Sequence, residues 1–544
     1  MSPGVISDDI RAHIRLSGPK GKQAGSTGRL TSLTLSAMGF NGSVRRVSHG
    51  PFPGFSWRSW CAFLGLTGCL WGADQPQWGE AWTRNLVSAE TNLPVDFDPV
   101  SGRNLRWKAE LGTDSYATPI TAGGRVYIGT NNERPRDARR REDAGVLLCF
   151  DEATGQCVWQ LVTPKLEGDP YYDWPKTGMS SPVTVEDGKV YFVNNRAEVM
   201  CLDARGSAPE AGGARGSDTV PTARVLWKLD LVGAAGIWPH DGAHTSILID
   251  GPYLYLNTGT GVDNTHKKIR TPNAPSLVVI EKATGRLVAR DEEKIAPWIF
   301  HATWSSPSMA TVGGRRVVLM AGGDGIVYGF EPLSGTIPST GVRRLRKVWH
   351  FDFDPSGPKS EVHRFNGNRQ EGPSTIYGMP VVVGDRLFVA GGGDLWWGKN
   401  ESWLKCVDLR GLAEPGSDAI LGREIWVHPL GRHTMSTPSV TRGLVFVTDT
   451  GRQLHCLDAA TGDVVWTHEF AGELWASPLI ADGKVYLGSR RGDFCVFAAE
   501  RTKRLLGSTD IHQAISGTAT AANGTIYVAT ATDLYAVGFP RALR

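Results

Sequence analysis

Six stretches of the chain carry the residue types that do chemistry: GIWPHDGAH (236–244), GVDNTH (261–266), IFHATW (299–304), FNGNRQEGPS (365–374), GGGDLWWGK (391–399) and GRHTM (431–435). Imidazoles and carboxylates close together can move protons or hold a cation, and tryptophans offer flat faces for stacking. His240 and His244 stand four apart, the spacing of two metal ligands on one helical face, but Pro239 and Gly242 argue against a helix there. The expectation is therefore a polar pocket. It would be formed by His240, Asp241, His244, Asp263, Asn264, His301, Trp304, Glu371, Trp396, His433 and Trp475. The competing reading is that each of these side chains merely ties down its own loop.

The elements that must position them are repeated. LDAATGDVVW (457–466) restates FDEATGQCVW (150–159), and IEKATGRLVA (280–289) is a worn copy. Upstream of each copy lies a small-residue stretch with Ser or Thr and often Pro, such as MSSPV (179–183), MSTPS (435–439) and WASPL (475–479). An alternating strand and then a third strand follow, as in GKVYLGS and QLHCLD, and each type of segment occurs eight times. The interval from Pro438 to Pro478 is 40 residues, the length of a four-stranded propeller blade. In the phrase itself, Asp458 accepts hydrogen bonds from the turn, Gly462 supplies positive φ, and Trp466 returns to the interior. Trp159, Trp227, Trp349 and Trp426 are its counterparts, predicted to lie buried between blades.

The last repeat stops after its third strand, at Val537, while LRWKAEL (105–111) is a spare fourth strand with Trp107 in the place of Trp466. The expected fold is all-β: an eight-bladed propeller of four-stranded antiparallel blades over 104–539, its ring closed by the N-terminal strand in the last blade. The 66 Gly and 32 Pro suit a fold of many tight turns. Long insertions at 131–144, 162–178, 232–243, 257–275, 291–303, 352–375 and 393–401 all fall in links between blades or in second-to-third strand loops. Strand order sends both classes to one face, on the side of blades one to five.

Composition excludes some partners. A net charge of +3 gives no general basic surface for nucleic acid, and the run RPRDARRRED (134–143) reads as a solvated loop. Of eight cysteines, Cys149, Cys201, Cys406 and Cys456 share one place in the repeat, with Cys495 close to it. Small buried apolar side chains explain this, so free thiols are expected. GTGTG (257–261) and GGDG (322–325) lack the strand–turn–helix setting of nucleotide loops.

The D-A-x-T-G-x-x-x-W turn, with S-P opening the inner strand, resembles the repeats of the PQQ-like (quinoprotein dehydrogenase-like) β-propeller superfamily over about 104–539. The resemblance implies two kinds of function. Some members are pyrroloquinoline-quinone dehydrogenases, in which a calcium ion sits beside the quinone and an Asp acts as base. Others, such as the outer-membrane assembly lipoprotein, keep the fold without cofactor or chemistry. Asp241, Asp263, Asn264, Asp394 and Glu371 could supply cation oxygens, but none matches the family's catalytic Asp by motif. Adjacent cysteines, like the vicinal disulfide of many quinoprotein alcohol dehydrogenases, are absent from the sequence. The leading expectation is a non-catalytic binding or scaffold propeller, taking a protein partner or a small-molecule or carbohydrate ligand on its loop-rich face. A quinone-dependent dehydrogenase of alcohols or sugars is the alternative, with pyrroloquinoline quinone and calcium as its cofactors. A third reading is a carbohydrate-binding or sugar-processing module, in which Trp396 and Trp397 would stack on sugar rings.

Residues 1–57 are polar and aperiodic and read as a disordered or mis-started extension, with Met38 an alternative start. RSWCAFLGLTGCLWGA (58–73), following Arg45 and Arg46, reads as a secretory signal. Its Leu66-Thr67-Gly68-Cys69 looks like a bacterial lipobox, with Cys69 lipidated. Export to the periplasm or cell envelope is expected, with the membrane touched only through that anchor. Residues 74–103 are read as a linker and lead-in, and 540–544 as a tail.

Overall fold

The computed structural model describes residues 73–540, apart from 167–172, 208–219, 243, 336–338 and 414–419. The signal and lipobox expectations for 58–73, Cys69 included, fall outside the described residues except for Ala73.

Eight antiparallel sheets are arranged as an eight-bladed propeller. Their inner strands are Ile120–Ala122, Thr184–Glu186, Leu248–Asp250, Ser308–Val312, Val381–Val383, Ser439–Thr441, Leu479–Ala481 and Thr520–Ala522. Blade six shows the unit plainly: Ser439–Thr441, Leu444–Thr448, Gln453–Asp458 and Val464–Glu469 pair in that order. In blade eight the outer strand is Leu105–Glu110, antiparallel to Asp533–Val537, with Trp107 opposite Ala536.

The repeated ten-residue phrase is a joint between blades. Asp458 accepts from the backbone of Ala460 (2.8 Å) and Thr461 (3.2 Å), which shapes the turn. The tryptophan of the preceding blade then lies on that turn. Trp426 donates its indole N–H to Ala459 O (3.2 Å), Trp107 to Glu152 O (2.9 Å) and Trp159 to Ala204 O (3.0 Å). Glycine is required beneath the ring. A Cβ on Gly462 would stand 2.6 Å from Trp426, and one on Gly155 2.6 Å from Trp107. The recurrent cysteine has a matching cause. Cys149, Cys201, Cys406 and Cys456 lie directly opposite Trp159, Trp227, Trp426 and Trp466 across the outer strand pair, where a small side chain leaves room for the indole. All six cysteines among the described residues are free thiols. Trp107, Trp159, Trp349, Trp426 and Trp466 are buried. Trp227 is a correction, since it is only half-buried on an outer strand that is largely exposed.

The Ser/Thr before most inner strands also has a structural task. Ser246 N donates to Ser306 Oγ (2.8 Å), Met379 N to Thr437 Oγ1 (2.9 Å), Thr437 N to Ser477 Oγ (2.9 Å) and Ser477 N to Thr518 Oγ1 (3.1 Å). Thr518 N reaches Thr118 Oγ1 (3.3 Å), joining the last blade to the first. Such a belt satisfies backbone groups that have no ladder partner inside the ring.

Residues 75–90 are not the linker expected from the sequence. Inner strands have one bare edge facing the channel, and this segment runs past them offering carbonyls. Gln75, Pro76, Trp82, Thr83, Leu86 and Glu90 accept from Thr121, Val185, Met309, Val382, Ile480 and Asp482, at 2.7 to 3.1 Å. Val87–Ser88 adds a short parallel strand to Leu479–Ala481. Arg84 is fully buried on this segment and donates to Pro307 O, Trp78 O and the hydroxyl and carbonyl of Ser246. Burial without a carboxylate partner lowers its pKa to about 9.

Candidate functional site

The links and loops opposite the lead-in segment build the other pole. Asp230 caps the short helix Leu231–Ala235, whose C-cap Gly236 turns the chain toward the axis and delivers His240, Asp241 and His244. Asp241 and the following Gly242 both take left-handed conformations, φ 58° and 85°. The loop between the second and third strands of blade three delivers His266, itself at φ 55°. The link into blade four carries His301 and Trp304, that into blade five Tyr377, and the blade-five loop Asp394 and Trp396.

Three imidazoles meet here. Ring centroids lie 4.7 Å apart for His240 and His301, 4.8 Å for His240 and His266, and 5.4 Å for His266 and His301. One ring nitrogen from each lies within 4.8 Å of the other two. Every ring is held from behind. His240 Nδ1 bonds Val262 O (2.8 Å), His301 Nδ1 bonds Asp394 Oδ2 (3.0 Å), and His266 bonds the Asn264 carbonyl. Asp241 faces the group, Oδ1 3.6 Å from His240 Nε2 and Oδ2 4.0 Å from His301 Nε2. Behind His301, Asp394 is saturated by the Tyr377 hydroxyl and the backbone N–H groups of Trp396 (3.0 Å) and Trp397 (2.6 Å).

Charge follows from this packing. Burial, with the neighbouring His301 and His266 rings, holds His240 well below its ordinary pKa, and burial then His301 take His266 down to about 4. Burial pushes Asp241 up to about 6. His301 moves the other way, because Asp394 outweighs the burial that works against its proton. The Asp394 carboxyl, which burial alone would raise, is held below the usual carboxylate range by His301 and Tyr377.

Above the imidazoles a row of half-buried aromatic rings crosses the mouth. Trp304 packs on Tyr377 (4.8 Å), Trp396 touches Trp304 (5.7 Å) and Trp475 (6.4 Å), and Trp475 stacks on Tyr116 (6.1 Å) with Arg490 3.8 Å over its ring. His244 lies edge-on to Trp304 (5.1 Å). His240, Asp241, His244, His301, Trp304, Trp396 and Trp475 are thus brought together. Four expected members are not. Asp263 spends Oδ1 on the turn at Thr265, and His433 is tied to Lys399 O (2.8 Å). Asn264 and Glu371 are exposed. These four hold or decorate their own loops. His266, Tyr377 and Tyr116 were missed, although His266 closes the quoted stretch GVDNTH, because nothing in the spacing of the three marks them.

A calcium–quinone centre was one implication of the resemblance, and the donors do not fit it. Calcium takes six to eight oxygens. Asp394 has its oxygens committed, Asn264 and Glu371 face solvent, and the groups that converge on Asp241 are imidazoles.

Residues 416–538 match a family model described as outer membrane protein assembly factor BamB. Among solved structures, BamB from Moraxella catarrhalis is 14% identical, covering 81% of this chain and 98% of its own, with a TM-score of 0.48. A europium-containing methanol dehydrogenase is 11% identical over 85% of this chain and 98% of its own, with a TM-score of 0.56. The quinohemoprotein alcohol dehydrogenase of Comamonas testosteroni is 13% identical over 87% and 82%, with a TM-score of 0.41. No curated protein sequence matches the chain. At 11% identity the likeness to the methanol dehydrogenase shows the fold alone.

Proposed function

We propose that this chain, an eight-bladed propeller of the PQQ-like superfamily, is an exported, non-catalytic binding protein. It would take a flat-faced polar ligand, such as a sugar ring, in the mouth of its loop-bearing pole. The observation that carries this reading is the row Trp304–Trp396–Trp475–Tyr116. Its rings come from four separate links and loops, remain half-buried, and pack one against the next. A ring with one face left partly open is a stacking platform, and polar groups beside it orient what stacks. Export rests on the apolar run at 58–73 behind Arg45, Arg46 and Arg58, and on the match to a model named for an outer-membrane assembly factor. That match also favours a second reading, in which a protein partner docks on the same pole.

The experiment is a fluorescence titration of the full chain with soluble oligosaccharides. A second arm adds pyrroloquinoline quinone with calcium, followed by dye reduction in the presence of alcohols. Saccharide-dependent quenching that Trp396→Ala abolishes is expected, without dye reduction in the second arm. Quinone that co-elutes with the protein and supports dye reduction would replace this reading with the dehydrogenase one. No quenching in either arm, with normal folding, would leave the protein-partner reading as the better one.

A further inference from the structure

Beneath the aromatic row, we infer that His240, His266, His301 and Asp241 form a binding site for one divalent transition-metal ion of the zinc class. The site stands whether or not the concavity above it takes a ligand.

The first argument is convergence. Three imidazole nitrogens within 4.8 Å of one another, with a carboxylate 3.6 and 4.0 Å from two of them, come from three separate segments. Donors about 2.0–2.2 Å from a tetrahedral ion stand about 3.3–3.6 Å apart, so a contraction of at most about 1.5 Å would close the set. The second argument is orphaned polarity. His301 is 2% exposed, yet its Nε2 has no hydrogen-bond partner, and neither has Asp241 Oδ1. Burying such atoms unsatisfied is unfavourable, and a shared cation would satisfy both. The third argument is the outer shell. A metal-bound histidine nearly always donates its second ring nitrogen to a carboxylate or carbonyl, which fixes tautomer and aim. His240 and His301 do so here through Nδ1, to Val262 O and Asp394.

The chemistry selects the ion. Imidazole nitrogens suit zinc, copper, nickel and iron, and are poor ligands for calcium or magnesium. Three histidines plus one carboxylate complete a tetrahedral zinc site. The Asp241 side chain is 27% exposed against 0% for His240 and 3% for His301, so the ion would face the mouth on the side of the carboxylate and the half-buried His266.

The test uses the full chain, stripped with a chelator and reloaded with Zn²⁺ or, separately, Co²⁺. Retention of about one ion per chain through gel filtration is expected. The cobalt form should show visible d–d bands of a nitrogen-rich, four-coordinate site. His266→Ala, on a half-buried loop, should weaken binding by at least about 100-fold, and Asp394→Asn, a positioning change, by about 10–100-fold. His433→Ala should leave binding unchanged. Should His301→Ala fail to fold, His266→Ala still decides. Preferential retention of copper or nickel in competition supports the site and changes its occupant. Folded wild-type protein that keeps less than about one ion per ten chains after reloading overturns the inference. Binding indifferent to both His266 and Asp394 does so as well.

Discussion

Trp159 and Trp227 occupy equivalent places in the repeat, yet the first is fully buried and the second half-exposed. Truncation should separate them. Trp159→Ala opens a core cavity and strands Ala204 O, at a cost of about 3–5 kcal/mol. Trp227→Ala should cost about 1–3 kcal/mol. Urea unfolding of the two variants measures the gap, and equal losses would contradict the burial. Gly462→Ala tests the partner side of the same joint. Its Cβ would meet the Trp426 ring at 2.6 Å in a backbone of φ 79°, so destabilisation is expected although a surface turn is altered. These pairings were legible in the sequence because they recur: one phrase stated many times exposes which positions cannot vary. His266, Tyr377 and Asp394 were not legible as partners. Each occurs once, on a different segment, and only the curvature of the ring brings them within reach.

Two long segments, the link into blade five and the loop that carries Trp396, are clamped by Asp354 and Lys399. Lys399 Nζ lies 2.5 Å from Asp354 Oδ2, which Ser374 Oγ also reaches at 2.7 Å, and both charged residues are buried. Burial alone would raise the Asp354 carboxyl, but Lys399, Ser374 and Ser356 outweigh it and hold the pKa at about 2. The folded value is therefore depressed below the roughly 4 of an unfolded aspartate, and the clamp's stability is fully present above that value. It is lost as pH falls from about 4 toward about 2. Asp354→Asn should melt below wild type at neutral pH, and the two curves should converge in acid. A gap that stays constant down to pH of about 2 would contradict the clamp. Loop lengths and their shared pole could be read from strand order alone. The clamp could not, because a single Asp–Lys pair across 45 residues has no sequence signature.

The whole ring is stitched from within. Residues 75–90 were read as a linker because they have no period, yet their carbonyls serve the inner edges of five blades. Their regularity lies in the partners, which a pattern search along one strand cannot see. Deleting residues 1–72 is expected to leave the thermal midpoint nearly unchanged. Deleting 1–98 should lower it sharply or abolish cooperative melting, since those edge N–H groups lose their acceptors and Arg84 no longer spans Ser246 and Pro307. Circular dichroism melts of the two truncations settle this, and equal midpoints would show the segment to be dispensable.

The same segment lies along the inner-strand edges that face the channel, while Trp304 and Trp396 both pack on His301, each with its ring centroid 5.4 Å away. An ion that reaches the histidines past those two rings would make occupancy of the two levels ordered: the deeper guest enters first and leaves last. A ligand seated on the tryptophans would act as a stopper, slowing exchange of the ion beneath without touching it.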